Sequence, residues 1–250
     1  MESSIKNFKF IIQYLGTSYN GWQFQPNCST IQGEIESALK KILHKNNQNI
    51  NLIGSGRTDS GVHALGQVAN IKLNTNMSAV DLKNAINANV ENNIFIKDSI
   101  EVDLNFNSRF SAKRRCYIYK ISNEYSPFIN NREWFNDSCI NEHLLEECSK
   151  LMLGINDFSL LSKANTEIDN QICEIYVSKR EIFSNKLTYT IEGNRFLHHM
   201  VRYLVGTMLE VGKKNISLNN FKKLLKNNSN SCKIFKAPAH GLYLKEIYYE

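Results

Sequence analysis

Strand-like and helix-like periodicities alternate along this chain in one order, and the order occurs twice. Alternating or β-branched runs predict strands at 8–15, 50–53, 67–73 and 94–103. Between them, Ile31, Ile35, Leu39, Ile42 and Leu43 recur at helical spacing over 30–44, with Ser29 or Thr30 available to cap. Leu82, Ala85 and Ile86 repeat the pattern over 79–90 after Ser78. The first part therefore reads β-α-β-β-α-β. In the second, strands fall at 115–122, 171–179, 187–193 and 242–249. Helices fall at 141–153 and 196–211, the latter stopped by Gly212, with an extra one at 217–226 after Ser217. No residue-by-residue repeat accompanies the repeated order. The reading is an α+β chain of two ferredoxin-like halves, 1–107 and 108–250, with largely antiparallel sheets around a cleft.

Charge divides unevenly between these halves. The first carries 9 basic and 9 acidic side chains, the second 21 and 15, so the net charge of +6 lies in the second half. A one-sided basic surface suits an anionic partner such as nucleic acid and would make the cleft basic; an ordinary solvated surface is the competing reading. The six cysteines include no C-x-x-C pair, and they read as reduced, mostly buried thiols of a cytoplasmic protein. The first apolar run is strand-length, which argues against a signal peptide or membrane span.

The segment Gly54-Ser55-Gly56-Arg57-Thr58-Asp59-Ser60-Gly61-Val62-His63-Ala64 lies between two short strands and is read as a loop. Three glycines in eight residues permit tight turns and close approach of backbone to a ligand. Arg57 offers a phosphate or carboxylate contact, and Asp59 a nucleophile or base. A plain turn whose Asp caps local amides is the alternative. No Gly-Lys-Ser/Thr follows, which excludes a phosphate-binding P-loop, and no second carboxylate is marked as a glycosidase partner.

Arg195, His199, Arg202 and Gly206 fall along one stripe of the helix expected over 196–211, against the apolar Phe196, Leu197, Met200, Val201, Leu204 and Val205. A buried arginine requires an anion, and Asp59 is the candidate; a guanidinium beside a carboxylate favours its ionised form. A structural ion pair with another acid is the alternative. His198 and His199, as adjacent helical residues, diverge by about 100° and are not expected to share a metal. In Arg109-Phe110-Ser111-Ala112-Lys113-Arg114-Arg115-Cys116-Tyr117-Ile118-Tyr119, basic and aromatic side chains alternate, as in surfaces that bind phosphates and stack bases. An edge strand with solvated charges would carry the same residues.

The loop GRTDSGVHA closely resembles the catalytic motif of the TruA family of tRNA pseudouridine synthases. The likeness continues through Tyr14-x-Gly16-x-x-Tyr19-x-Gly21-Trp22-Gln23-x-Gln25, Gln32, Arg109-Phe110-Ser111-Ala112 and Tyr117-x-Tyr119-x-Ile121. Gly154-x-x-Asp157-Phe158, Phe196-x-His198-His199-Met200-Val201-Arg202 and Gly241-Leu242-Tyr243-Leu244 follow in order. Ser60 stands where Ala is usual and Leu161 where Phe is expected, both away from the proposed chemistry.

The resemblance implies isomerisation of uridine to pseudouridine in the tRNA anticodon stem-loop, at about positions 38–40. It makes Asp59 the catalytic carboxylate, Arg202 its paired cation and Tyr117 the residue that stacks on the base and relays a proton. It assigns Arg57 to holding the target nucleotide, Arg109 to RNA contact and Leu244 to the apolar wall of the pocket. It further implies a homodimer that acts on tRNA without metal or cofactor. A non-catalytic tRNA-binding protein on the same scaffold is the principal rival, disfavoured because binding needs no Asp–Arg pair. A metal-dependent nuclease built on the histidines is a second, which activity in a chelator would eliminate.

Overall fold

The computed structural model describes residues 4–43, 49–163, 170–227 and 232–250. It is a mixed α+β structure with mostly antiparallel strands and, among the described residues, five α-helices. By packing the chain resolves into two compact units, Met1–Lys113 with Leu244–Glu250, and Arg114–Tyr243.

In the first unit, β4 (Ile94–Val102), β1 (Ile5–Tyr14) and β3 (His63–Asn74) are neighbours in that order and antiparallel. The two-residue β2 (Ile53–Gly54) pairs with β3, and the unit's share of β10 (Leu242–Tyr248) lies beside β3 as well. Period-2 alternation along β1 puts Phe8, Phe10 and Ile12 on the buried face. Opposite that apolar set lie α1 (Ile31–Ile42), burying Ile31, Ile35 and Leu39, and α2 (Ala79–Asn87), burying Leu82 and Ile86. Of the two caps offered for α1, Thr30 is used, its hydroxyl accepting from the Gly33 amide. Ser78 and Asp81 form a reciprocal capping box on α2. Residue 44, the end of the helix expected over 30–44, lies outside the described residues.

The second unit is built on β5 (Arg114–Ser122), β9 (Lys186–Gly193), β8 (Ile172–Phe183) and β7 (Gly154–Asp157), in that order and antiparallel. The two-residue β6 (Trp134–Phe135) pairs parallel to β5. Helix α3 (Glu142–Leu151) packs on β8, and on α4 (Met200–Gly212) and α5 (Leu218–Leu225). Periodicity missed β6 and β7, because runs of two and four residues are too short to show alternation.

Helix α4 begins later than its apolar spacing predicts. His199 sits at the N-cap in the left-handed region, φ +61°, which a helix interior does not admit. Arg195 and His199 therefore lie outside the helix, and the expected stripe is reduced to Arg202 and Gly206. The cysteines also differ from expectation: Cys116, Cys148 and Cys173 are buried, whereas Cys28 and Cys139 are exposed and Cys232 is intermediate. No helix among the described residues is long and apolar enough to cross a membrane.

A buried amide network ties the first unit together. Asn7 donates to the Asp103 and Phe106 carbonyls, and Asn70 donates to the Asn7 side-chain oxygen at 3.0 Å. The Asn70 oxygen in turn accepts from the Ser108 amide at 2.8 Å, while the Tyr249 hydroxyl donates to the Ser108 carbonyl. Asn70→Ala should lower the unfolding free energy by about 2 kcal/mol or more, because it orphans buried partners on Asn7 and Ser108. Denaturant titration at an unchanged m-value checks this.

Candidate active site

The glycine-rich loop leaves β2 and re-enters the sheet at β3, and its shape is imposed by the neighbouring chain. At its root, the fully buried Gln67 accepts from the Ser55 hydroxyl at 2.9 Å and donates to the Gly56 carbonyl at 2.7 Å. Ser108 donates from its hydroxyl to the Ile53 carbonyl, which brings the turn bearing Arg109 to the same root.

The segment after β1 then runs alongside the loop. The Tyr14 and Thr58 hydroxyls lie 2.7 Å apart, and the Trp22 amide donates to the Thr58 carbonyl. Ser60 donates to the Tyr19 carbonyl at 3.1 Å, and the Gly16 amide donates to Nδ1 of the fully buried His63 at 3.0 Å. A nitrogen that accepts carries no proton, so the His63 proton sits on Nε2. Gly21 adopts φ +91°, and a methyl there would stand 2.6 Å from the Thr58 carbonyl oxygen. Close approach of the two backbones thus requires glycine at this position.

Within this frame Asp59 is half-buried, and its carbonyl accepts from the Val62 amide at 3.1 Å. Arg57 is exposed, and its Nε donates to Gln23 at 3.2 Å. Gln23 donates to Gln32, which donates onward to Glu36 on α1. This relay gives an exposed arginine a defined direction. Arg109 is exposed and stacks on Phe110, its guanidinium carbon 5.4 Å from the ring centroid. Leu244, on β10, is fully buried.

The remaining candidates belong to the second unit. Tyr117 is buried on β5 with its ring edge-to-face against Phe196, centroids 5.1 Å apart. Its neighbour on the same face, Tyr119, donates to the Pro238 carbonyl at 2.7 Å. Burial pushes the Tyr119 hydroxyl far above its ordinary pKa, with the Arg202 charge pulling weakly the other way. Arg202 is half-buried rather than buried, and its Nε donates to the Ala237 carbonyl at 2.8 Å. The Ala237 amide returns a bond to the Arg202 carbonyl, so the segment 235–237 is strapped along α4. Gly206 allows that approach, since a methyl there would stand 2.8 Å from the Ala237 nitrogen.

Two sequence readings change here. The rings of His198 and His199 lie 4.0 Å apart, because the pair precedes the helix, and the angular divergence expected of helical neighbours does not apply. In the basic run, Arg114 pairs with the buried Glu192 at 2.6 Å and Arg115 donates to the Asn194 carbonyl. Both therefore serve the unit's own structure. Gln67, His63, Tyr14 and Thr58 were given no role in the sequence reading. Tyr14, Thr58 and His63 stand inside the motifs, but that their side chains turn inward to hold the loop is a tertiary fact.

A family model described as tRNA pseudouridine synthase matches residues 10–111 and 148–250. The tRNA pseudouridine synthase A of Hydrogenobaculum sp. (strain Y04AAS1) is 38% identical over 98% of this chain and 100% of its own length. Those of Brachyspira hyodysenteriae and Thermosipho melanesiensis are 35% and 37% identical, over 98% and 97% of this chain and 99% of each relative. Among solved structures, a chain of a Cbf5-Nop10-Gar1 complex aligns over 81% of this chain and 45% of its own length, at 12% identity and a TM-score of 0.36, too weak a likeness to support an argument.

Gly21→Ala is expected to destabilise the protein by about 1–3 kcal/mol, since it combines a strained positive φ with a backbone clash. A drop in the thermal midpoint measures this, and a wild-type midpoint would mean that the two segments do not pack this closely.

Proposed function

The chain belongs to the tRNA pseudouridine synthase family, and on that premise we propose that it isomerises uridine to pseudouridine in the anticodon stem-loop of tRNA, with Asp59 as nucleophile. The target positions, about 38–40, rest on the resemblance. The observation that carries the reading is the loop. Asp59 is held at the residues on both sides of it, by Thr58 and Ser60, and neighbours an arginine whose direction is fixed through Gln23. Preorganisation of this kind is what a nucleophile requires, since attack depends on geometry within a fraction of an ångström.

In the proposed reaction Asp59 attacks the target nucleoside, the N-glycosidic bond breaks, and the base turns and rejoins the sugar through C5. C5 then gives up its proton, N1 (freed from the sugar) takes one up, and the Asp59 carboxylate is regenerated. Substrate and product are isomers, so the chemistry requires no redox partner and no energy source. Tyr117 stacks on the base and relays a proton, and Arg202 is the cation paired with the carboxylate. Arg57 holds the turned-out nucleotide, Arg109 contacts RNA, and Leu244 forms apolar wall. Extracting a stacked uridine costs a few kcal/mol, which phosphate contacts from the basic part of the chain offset. Two ferredoxin-like halves around a basic cleft, homodimeric assembly and metal-free catalysis belong to the same proposal and rest on the resemblance, while the division near residue 107 rests on element order and charge and the cytoplasmic location on the cysteines.

Tritium release from tRNA labelled at uridine C5 tests it, because isomerisation must displace that hydrogen. Wild type should release tritium, and Asp59→Ala should release none while binding tRNA within a few-fold of wild type. Turnover near wild type in Asp59→Ala would remove the nucleophile assignment; tight binding without release by wild type would favour a protein that only binds tRNA. Arg202→Lys should lower the rate sharply, since a point charge cannot reproduce bidentate pairing.

A further inference from the structure

Tyr14 and Thr58 meet hydroxyl to hydroxyl at 2.7 Å, with side chains only 4% and 7% exposed respectively. An internal hydrogen bond contributes about 1 kcal/mol net, and a Phe–Val pair would fill the same space without a polar group to satisfy. Stability therefore gives weak grounds for two hydroxyls here. What the bond supplies is direction. Tyr14 lies at the end of β1, opposite Ala64 of β3, so its ring projects from paired strand. Thr58 immediately precedes Asp59, and its carbonyl is independently held by the Trp22 amide at 3.1 Å. Main chain and side chain of residue 58 are thus both fixed, which fixes the peptide plane from which the Asp59 side chain departs.

We propose that the Tyr14–Thr58 hydroxyl pair is a positioning device that aims the Asp59 carboxylate at the reacting nucleoside, acting on the chemical step and not on tRNA affinity. The inference rests on Asp59 being the nucleophile. Neither hydroxyl touches substrate in this role; both act through the backbone of residue 58.

Steady-state kinetics of tritium release on unmodified tRNA, with Tyr14→Phe, Thr58→Val, the double variant, Thr58→Ser and Asp59→Asn, provides the test. Tyr14→Phe and Thr58→Val should each lower kcat by about 10- to 100-fold, with KM within a few-fold of wild type, as small misplacements of reacting groups do. Because the two residues share one interaction, the double variant should be no slower than the slower single variant. Thr58→Ser keeps the hydroxyl and should recover most of the rate. Circular dichroism and the thermal midpoint establish that each variant is folded at the assay temperature, and Tyr14→Phe, which removes one atom, remains informative if Thr58→Val does not fold. A kcat within two-fold of wild type in folded Tyr14→Phe, losses that multiply in the double variant, or a loss confined to KM would overturn the proposal. Turnover by Asp59→Asn would remove the nucleophile reading and this inference with it. An inactive Asp59→Asn beside a fully active Tyr14→Phe would remove only the positioning role.

Discussion

Hydrogen bonds from the segment 14–23 to the glycine-rich loop are the constraint on which the candidate site depends. A loop with glycines at 54, 56 and 61 has little conformational preference of its own. Its shape comes from outside: Tyr14 and Trp22 both bind Thr58, Tyr19 binds Ser60, and Gly16 binds His63. These are mostly backbone groups or buried hydroxyls, so the cost of losing any one is that of an orphaned polar group and not merely of a missing contact. The loop is ordered because both strands it joins, and the turn it lies against, are anchored in the same sheet.

Much of this frame was legible in the residues. Strong periodicity located the longer strands and the helices to within a few positions, and the caps at Thr30, Ser78 and Ser217 marked where helices begin. The motif GRTDSGVHA marked the loop, and Asp59 within it. Harder to see was the start of α4. Phe196 and Leu197 continue the apolar spacing of Met200 and Val201, and nothing in the sequence shows that His199 turns left-handed. That one dihedral angle changes the neighbourhood of two histidines and removes Arg195 from the helix.

The basic run teaches a related lesson. Composition counts Arg114 and Arg115 toward a nucleic-acid surface, but one is matched by Glu192 and the other by a backbone carbonyl. Charge along a strand alternates between faces, so half of a basic run is spent internally unless both faces meet solvent. Arg57 and Arg109 remain exposed in the first unit, and Arg57 comes from the half of the sequence with no net charge excess. Formal charge therefore locates exposed cationic side chains poorly, whereas burial with partners separates them.

The strand at 244–248 has a consequence for how the molecule is made. It belongs to the unit that holds Asp59, and Tyr249 reaches back 141 positions to the Ser108 carbonyl. A ribosome synthesises the whole of Arg114–Tyr243 before that strand exists. Until then β3 lacks one neighbour and presents an unpaired edge, the kind of surface on which nascent chains associate wrongly. The glycine-rich loop is thus seated in a finished sheet only after the strand at 244–248 has been made, and a chain interrupted before it leaves the loop on an open one.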